Sequence, residues 1–355
     1  MAFVRGVAGC TGWTWRDKAA LVRTAAGWAL DRFRCDPALT VDALCNSLPP
    51  AVREILIDPL CVAALNTPAR EASAEVLLRV LRDALFGGRG AADLLLPRRP
   101  LAELLPEPAA RWLGAHGAIV RLGQRVAELG RGASGSGSGN GADVDVGSGD
   151  VGNARPAGDG GPTPTWRIGN EHFEGVVLAA PAAEAARLAL PIAPAWAAQA
   201  QALRYEPIAT VYLECRGARL PAPMTALVES AAAPAQFAFD HGALGGTAGR
   251  FAFVVSGAAP WVERGSGALA ATVLDQARSA MPQGTWPTTP RVLKVIVERR
   301  ATFRCTPALA RPPMAIAPGL LAAGDYVAGP YPATLEGAVR SGEQAVEALT
   351  PQQPR

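Results

Sequence analysis

Apolar residues change their spacing along this chain, and each change marks a different kind of element. Leu21, Val22, Ala25, Trp28, Ala29 and Phe33 recur at close to 3.6 residues, which predicts an amphipathic helix over 17–34. Thr40 is placed to cap a short helix ending at Leu44, and Pro50 suits the first turn of a helix over 51–57. Ser73 precedes the strongest stripe, Val76, Leu77, Val80, Leu81 and Leu85, which Gly87-Gly88 then stops. A further helix over 108–116 runs into Gly117, and an apolar strand is expected over 119–126, from Ile119-Val120 to Val126. The helical stripes suit a helix–helix core, and they would equally suit the wall of a lipid-shaped pocket.

Beyond residue 165 the period shortens. Trp166-Arg167-Ile168 and His172-Phe173-Glu174 flank a Gly169-Asn170 turn as two strands. Val176-Val177-Leu178 belongs to a continuous apolar run, as expected for a strand buried on both faces, and a helix over 182–188 follows Pro181. From Tyr205 the chain is β-rich, with strands expected over 208–214, 236–239, 250–255 and 292–298 and one helix over 265–281. Between these halves, 131–164 is rich in glycine and serine. Such a composition cannot bury enough apolar area to offset chain entropy, so a flexible surface insertion is expected. Within it Gly147-Ser148-Gly149-Asp150-Val151-Gly152 fits G-x-G-x-x-G, but no buried strand precedes it and Pro156 with several glycines forbids the following helix. It is rejected as a nucleotide site. Asp143, Asp145 and Asp150 read as a solvated acidic linker rather than a calcium loop.

Composition narrows the class. Of 355 residues 49% are hydrophobic and 18% charged, enough for a sizeable core in two domains or one interleaved domain. A net charge of +3 without extended basic runs gives no footprint for nucleic acid. The six cysteines lack C-x-x-C spacing and read as reduced thiols of a cytoplasmic protein. His116, His172 and His241 lie far apart and form no metal-ligand pattern. Neither a signal peptide nor an uncharged apolar stretch of about 18 residues is found, so the protein is expected to be soluble or at most membrane-peripheral. With neither an acid–base constellation nor a metal cluster, the hard chemistry falls to a cofactor, and no catalytic side chain is named.

The last apolar run is the most informative. Leu320-Leu321-Ala322-Ala323 ends in Gly324-Asp325, a Pro-bounded loop follows, and a helix then carries Ala333, Gly337 and Ser341 at i, i+4 and i+8, with Ala338, Gly342 and Ala345 beside them. Glycine inside a helix costs about 1 kcal/mol relative to alanine, so a face this bare has a reason: close approach of a flat ring or of another backbone. A strand–turn–helix unit of this kind offers the unpaired N–H groups of a helix N-terminus to a ligand. The alternative is a helix packed tightly on a sheet.

These residues resemble the C-terminal FAD-binding motif of the flavin amine oxidase and phytoene desaturase superfamily. The resemblance continues upstream through Asp58-Pro59-Leu60-Cys61, Asn66-Thr67-Pro68, Leu81-Arg82-Asp83-Ala84-Leu85, Asp93-Leu94-Leu95-Leu96-Pro97-Arg98, Glu107-Pro108-Ala109-Ala110-Arg111-Trp112-Leu113 and Arg300-Ala301-Thr302-Phe303. It is most similar to the hydroxysqualene dehydroxylase family. The resemblance implies an α/β (α+β) fold, an incomplete Rossmann-like FAD-binding domain interleaved with a helical and mixed-sheet substrate domain. Its segments would be 1–100 (helical, substrate), 101–130 (FAD domain), 131–164 (disordered insertion), 165–190 (FAD domain), 191–300 (mixed sheet, substrate) and 301–350 (the C-terminal FAD-binding unit). It implies FAD as cofactor, held by Gly324 and Asp325 near the ribityl and pyrophosphate groups and by Ala333, Thr334, Leu335 and Gly337 against the isoalloxazine. Val126 would face the adenine. The implied substrate is a long apolar isoprenoid, hydroxysqualene, reduced to squalene in hopanoid biosynthesis. Residues 1–17 lack the superfamily's N-terminal strand–G-x-G-x-x-G–helix, so the chain reads as the C-terminal portion of a flavoenzyme. A carotenoid desaturase, an amine oxidase and a non-catalytic remnant stand as alternatives.

Overall fold

The computed structural model describes residues 2–88, 90–132 and 165–350; nearly all of the insertion expected over 131–164, with Asp143, Asp145, Asp150 and its G-x-G-x-x-G match, lies outside the described residues. In chain order the helices of the first third are α1 (Ala2–Gly9), α2 (Trp15–Leu30), α3 (Val41–Leu44), α4 (Pro50–Val52), α5 (Asp58–Leu65), α6 (Ala74–Leu85), α7 (Leu101–Leu104) and α8 (Pro106–Ala115). There follow β1 (Gly130–Arg131), β2 (Trp166–Ile168), β3 (Glu171–Phe173), β4 (Val176–Leu178), α9 (Ala182–Ala189) and α10 (Pro194–Gln201). The remainder comprises β5 (Tyr205–Glu214), β6 (Met224–Ala226), β7 (Phe237–Asp240), β8 (Arg250–Val255), α11 (Ala259–Arg264), α12 (Ser266–Ala280), β9 (Arg291–Phe303), β10 (Ala315–Ala317), β11 (Leu320–Ala322) and α13 (Leu335–Leu349). No described helix is long and apolar enough to cross a membrane. Two compact units emerge, Met1–Leu122 with Leu203–Ala310 and Pro330–Thr334, and Gly123–Ala202 with Arg311–Gly329 and Leu335–Arg355.

The first unit is built on an antiparallel sheet of order β6-β7-β8-β5-β9. Alternation along β5 buries Ala209, Val211 and Leu213, which join Phe251 and Phe253 of β8 and Leu269, Val273 and Ala277 of α12 in one apolar core. Sheet and helix thus cover each other's apolar face. The edge strand β9 runs longer than the 292–298 read from its pattern, because its ladder with β5 continues past two register shifts to Tyr205↔Phe303.

Helix ends in this unit follow local chemistry. Thr14 and Asp17 form a reciprocal capping box on α2, and Ser73 Oγ accepts the Val76 N–H at the start of α6. The helix expected over 17–34 forms as α2 and ends at Leu30, short of residue 34, where Arg32 and Phe33 turn to φ of 54° and 56° and Phe33 meets the Phe86 ring at 5.0 Å. The helix expected over 51–57 passes through a π turn, Arg53–Ile57, before α5. Pro59 offers no N–H to an i−4 carbonyl, and the wider turn just before it absorbs the break.

The helices are tied to the sheet by a buried polar latch. Asn66 ends α5 in the left-handed region at φ 47°. Its Nδ2 donates to the Glu206 carbonyl at 3.2 Å and to Thr302 Oγ1 at 2.9 Å, while its Oδ1 accepts the Gly257 N–H at 2.6 Å. Next to it, Thr67 Oγ1 donates to the Leu65 carbonyl and accepts the Cys305 N–H at 3.1 Å. The Ser73 N–H then donates to the Cys305 carbonyl at 2.7 Å. Arg304 completes the seam by pairing with Glu71 at 2.7 Å and Glu206 at 3.2 Å. Nearby burial pushes the Cys45 thiol up to about 12 and raises that of Cys61 as well; none of the six cysteines forms a disulfide.

Residues 94–122 depart from this packing. The helix expected over 108–116 forms as α8 yet buries none of its side chains, and Leu101, Leu104, Trp112 and Leu113 stand exposed. The strand expected over 119–126 does not form: Ile119 is 78% and Leu122 87% exposed. An apolar run becomes a strand only where a neighbour supplies a ladder, and none of the described strands pairs with it.

The second unit holds the hairpin sheet β1-β2-β3, turning at Gly169-Asn170, and a second sheet of order β10-β11-β4. In the latter β4 and β11 run parallel, register Val176↔Leu320 to Leu178↔Ala322. Ala345 of α13 packs on Leu321 and Ala323, with Val177, Met314 and Leu349 around them. Trp196 Nε1 of α10 donates to the Pro313 carbonyl at 2.8 Å. On the surface Glu184 accepts from Arg187 and Arg125, which holds its carboxyl at about 2.

Two outcomes follow. Asn66→Ala strands buried partners on three segments and lowers stability by about 1–3 kcal/mol, read from the urea midpoint, whereas Thr302→Ala, which removes one of them, costs less. Because the Glu184 carboxyl is depressed in the folded state, its contribution is whole above the ordinary value of 4.5 and is lost as pH falls toward about 2. Glu184→Gln therefore flattens the acid side of the stability profile in that window, measured by thermal unfolding across pH.

Candidate cofactor site

The strand–turn–helix at the end of the chain is held by packing on one side and left open on the other. Leu320, Leu321 and Ala322 are buried between β10 and β4, which fixes the direction in which the chain leaves the sheet at Gly324-Asp325. This exit lies at the carboxyl end of a parallel strand pair, where open α/β sheets place ligands. Gly324 is obligatory on steric grounds, since a Cβ there would come within 2.5 Å of the Tyr326 ring.

Ser341 locks the turn to the helix. The Gly324 N–H donates to Ser341 Oγ at 2.8 Å, and the hydroxyl has the carbonyls of Gly324 at 3.0 Å and Ala338 at 2.8 Å within donating distance. The stripe of small residues therefore does two jobs. Its later part, Ser341 and Ala345, is buried on the sheet, as the packing alternative holds. Its earlier part is open: Gly337 and Ala338 are half-buried, and Leu335 at the first turn is 74% exposed.

Asp325 is half-buried, and burial raises its carboxyl, with the Tyr326 N–H and the charge of Arg311 acting the other way. Arg311 also reaches back to donate to the Asp325 carbonyl at 3.2 Å. The polar residue beside the turn is thus partly desolvated.

Ala333 and Thr334 belong to the first unit, where they are half-buried and Thr334 Oγ1 donates to the Pro332 carbonyl at 3.3 Å. Their loop is anchored by a contact that sequence reading missed. Tyr331 OH accepts from Arg79 Nη2 at 3.0 Å and donates to Asp83 Oδ2 at 3.3 Å, with the Arg79 guanidinium 4.9 Å from its ring centre and paired to Asp83 at 2.8 Å. Arg79 and Asp83 sit at i, i+4 on α6, a spacing visible in the sequence; their partner 248 residues from Asp83 is not.

Val126 is held differently from its expected strand. It lies in an extended loop, 38% exposed, and its carbonyl accepts from Arg187 Nη2 at 2.8 Å. Ser341 was placed on the right face by its spacing, but its role as a hydroxyl bridge was not legible. No group of histidines, cysteines and carboxylates suited to a metal occurs among the described residues.

Comparison with known proteins sets this geometry in context. The chain matches, over residues 4–350, the family described as flavin containing amine oxidoreductase. It is similar to a hydroxysqualene dehydroxylase of Sinorhizobium fredii (strain NBRC 101917 / NGR234), 28% identical over 310 residues that cover 82% of this chain and 61% of that protein. A hydroxysqualene dehydroxylase of Rhodopseudomonas palustris (strain ATCC BAA-98 / CGA009) is 29% identical over 314 residues, with the same shares of 82% and 61%. The chain spans 61% of the length of each of these curated relatives. Among solved structures, an oxidoreductase from Methanosarcina mazei superposes with TM-score 0.63 at 12% identity, covering 94% of this chain and 73% of that one. Wild-type putrescine oxidase bound to putrescine superposes with TM-score 0.58 at 16% identity, covering 96% and 77%. The likeness to these two is one of fold. With a family match running from residue 4 to residue 350, the chain belongs to the flavin-containing amine oxidoreductase family.

Proposed function

We propose that this chain carries most of an FAD-dependent oxidoreductase that reduces hydroxysqualene to squalene. The observation that carries the reading is the likeness of 82% of the chain to two hydroxysqualene dehydroxylases, joined to an open helix N-terminus beside the Gly324 turn.

The residues fit a flavin nucleotide in kind. At Gly324 no Cβ is tolerated, Asp325 is partly desolvated, and a 15-residue helix begins at Leu335, which is 74% exposed. On this reading Gly324 and Asp325 hold the ribityl and pyrophosphate region. The backbone of Ala333, Thr334 and Leu335, with Gly337, would hold the ring system, and Val126 would serve the adenine. When bound, the reduced cofactor supplies a hydride to the carbon that loses the hydroxyl, and the hydroxyl leaves with one proton as water. The part played by this chain is electrostatic: the positive end of α13 favours negative charge at the adjoining ring edge without any side chain that titrates. An uncharged hydrocarbon substrate asks for apolar walls and exclusion of water, which agrees with the lack of an acid–base constellation.

The reading also includes a nucleotide-binding βαβ unit that residues 1–17 do not encode. It is supported by the 61% share of the curated relatives that the chain spans, by the exposed apolar residues between 94 and 122, and by the edge of β4 that no described strand pairs with.

Two measurements test the proposal. Protein that includes such a βαβ unit, given FAD, a reductant and hydroxysqualene under anaerobic conditions, yields squalene by gas chromatography and mass spectrometry; hydroxysqualene consumed without squalene refutes the assigned reaction, and oxidation of an amine in its place points to an amine oxidase. Asp325→Ala weakens flavin binding about tenfold or more, followed by quenching of flavin fluorescence, while unchanged binding removes Asp325 from the site.

A further inference from the structure

The five-stranded sheet of the first unit is finished differently on its two faces. Val211 and Leu213 of β5 are buried with the apolar side of α12. Side chains of the alternate phase point the other way: Tyr212 of β5, Phe239 of β7 and Val254 of β8 are only half-buried. On that same face Ile296 of β9, paired with Thr210, is 42% exposed. A hollow of about 310 Å³ opens there, lined by the carbon of Tyr212, Leu293 and Ile296 and by His241, Arg250 and Lys294. The His241 ring stands edge-on to Tyr212 at 5.7 Å.

Positive charge gathers at this end of the sheet. Arg216, Arg219, Arg250, Arg291 and Lys294 stand exposed where β5 ends and β8 and β9 begin. Glu214 is shared between Arg250 at 3.7 Å and Arg291, and Asp240 answers Arg219 at 3.7 Å. Lys294 has no ion-pair partner among the described residues. Those two carboxylates cannot neutralise the cations around them, so a positive potential stands over the hollow. Cations set around exposed carbon make an amphipathic surface, and its complement is an apolar phase with an anionic boundary. Leu293 and Ile296 offer no ring for a base to stack on, which favours lipid over nucleic acid.

We propose that this sheet face docks the first unit on a bilayer containing anionic phospholipid, with a lipid phosphate at Lys294 and Arg250 and Ile296 entering the acyl boundary. The inference goes beyond the proposed reaction, and docking requires neither flavin nor turnover.

Co-sedimentation of the purified full chain with phosphatidylcholine vesicles, made with and without phosphatidylglycerol, tests the assignment. The anionic lipid is expected to tighten binding about tenfold or more at low salt, a gain that shrinks as salt is added. Lys294→Glu should lose about tenfold or more of that affinity, whereas Arg278→Glu, the same charge change on α12 behind the opposite face, should lose about threefold at most. Ile296→Ser should weaken the binding that survives at high salt. All three positions are exposed, and unchanged thermal unfolding of the variants separates lost docking from lost fold. Equal affinity for the two kinds of vesicle overturns the proposal. So does equal loss in the two charge variants, which would trace binding to net charge rather than to this face. Full displacement by inorganic phosphate at the concentration of the lipid phosphate would assign the hollow to a soluble anion instead, and tighter binding to a single-stranded oligonucleotide than to the anionic vesicles would assign it to nucleic acid; either overturns the docking.

Discussion

The first unit depends on a single buried side chain that ends a helix. Asn66 is 4% exposed, and its amide joins the β5 backbone, the β9 hydroxyl of Thr302 and the loop after β8. A left-handed residue is tolerated best as glycine or asparagine, and only asparagine also brings a donor and an acceptor to that spot. Helix termination and helix docking are therefore one event. The hydrophobic core between the sheet and α12 would tolerate many substitutions of similar volume, but this amide fixes where the helical segment sits on the sheet.

The same logic separates the two halves of the α13 stripe. Small residues are commonly read as a cradle for a ligand or as tight helix packing, and here both readings hold along one helix. Ser341 and Ala345 press on the sheet, and their contact leaves Gly337 and the first turn at its margin. A helix anchored by its middle and exposed at Leu335 suits a binding element, because the packing sets the orientation of its amino end.

How much of this was legible depended on the range of the interaction. Ser73 and Thr40 as caps, the Gly169-Asn170 hairpin and the strand over 250–255 follow from residues a few positions apart, and each is found close to its expected bounds. Asn66-Thr67-Pro68 stood out only through resemblance, because its partners lie 140, 191 and 236 residues away. The strand over 119–126 failed for the converse reason: its local pattern is sound, but a ladder needs a second strand. In the cofactor site the glycine and the stripe were readable, since steric demand leaves a mark in residue size. The Tyr331 anchor was not, since a hydrogen bond across the fold leaves none.

The long strand β9 has an outcome for behaviour in solution. One of its flanks pairs with β5 and the other ends the sheet, so its unpaired backbone groups would template a further strand. Lys294, Glu298, Arg299 and Arg300 stand exposed along it. A second copy approaching that border antiparallel or parallel would have to crowd and desolvate this mixed, mainly cationic row before gaining a single ladder bond. Charge along that border therefore weighs against self-association through an added strand.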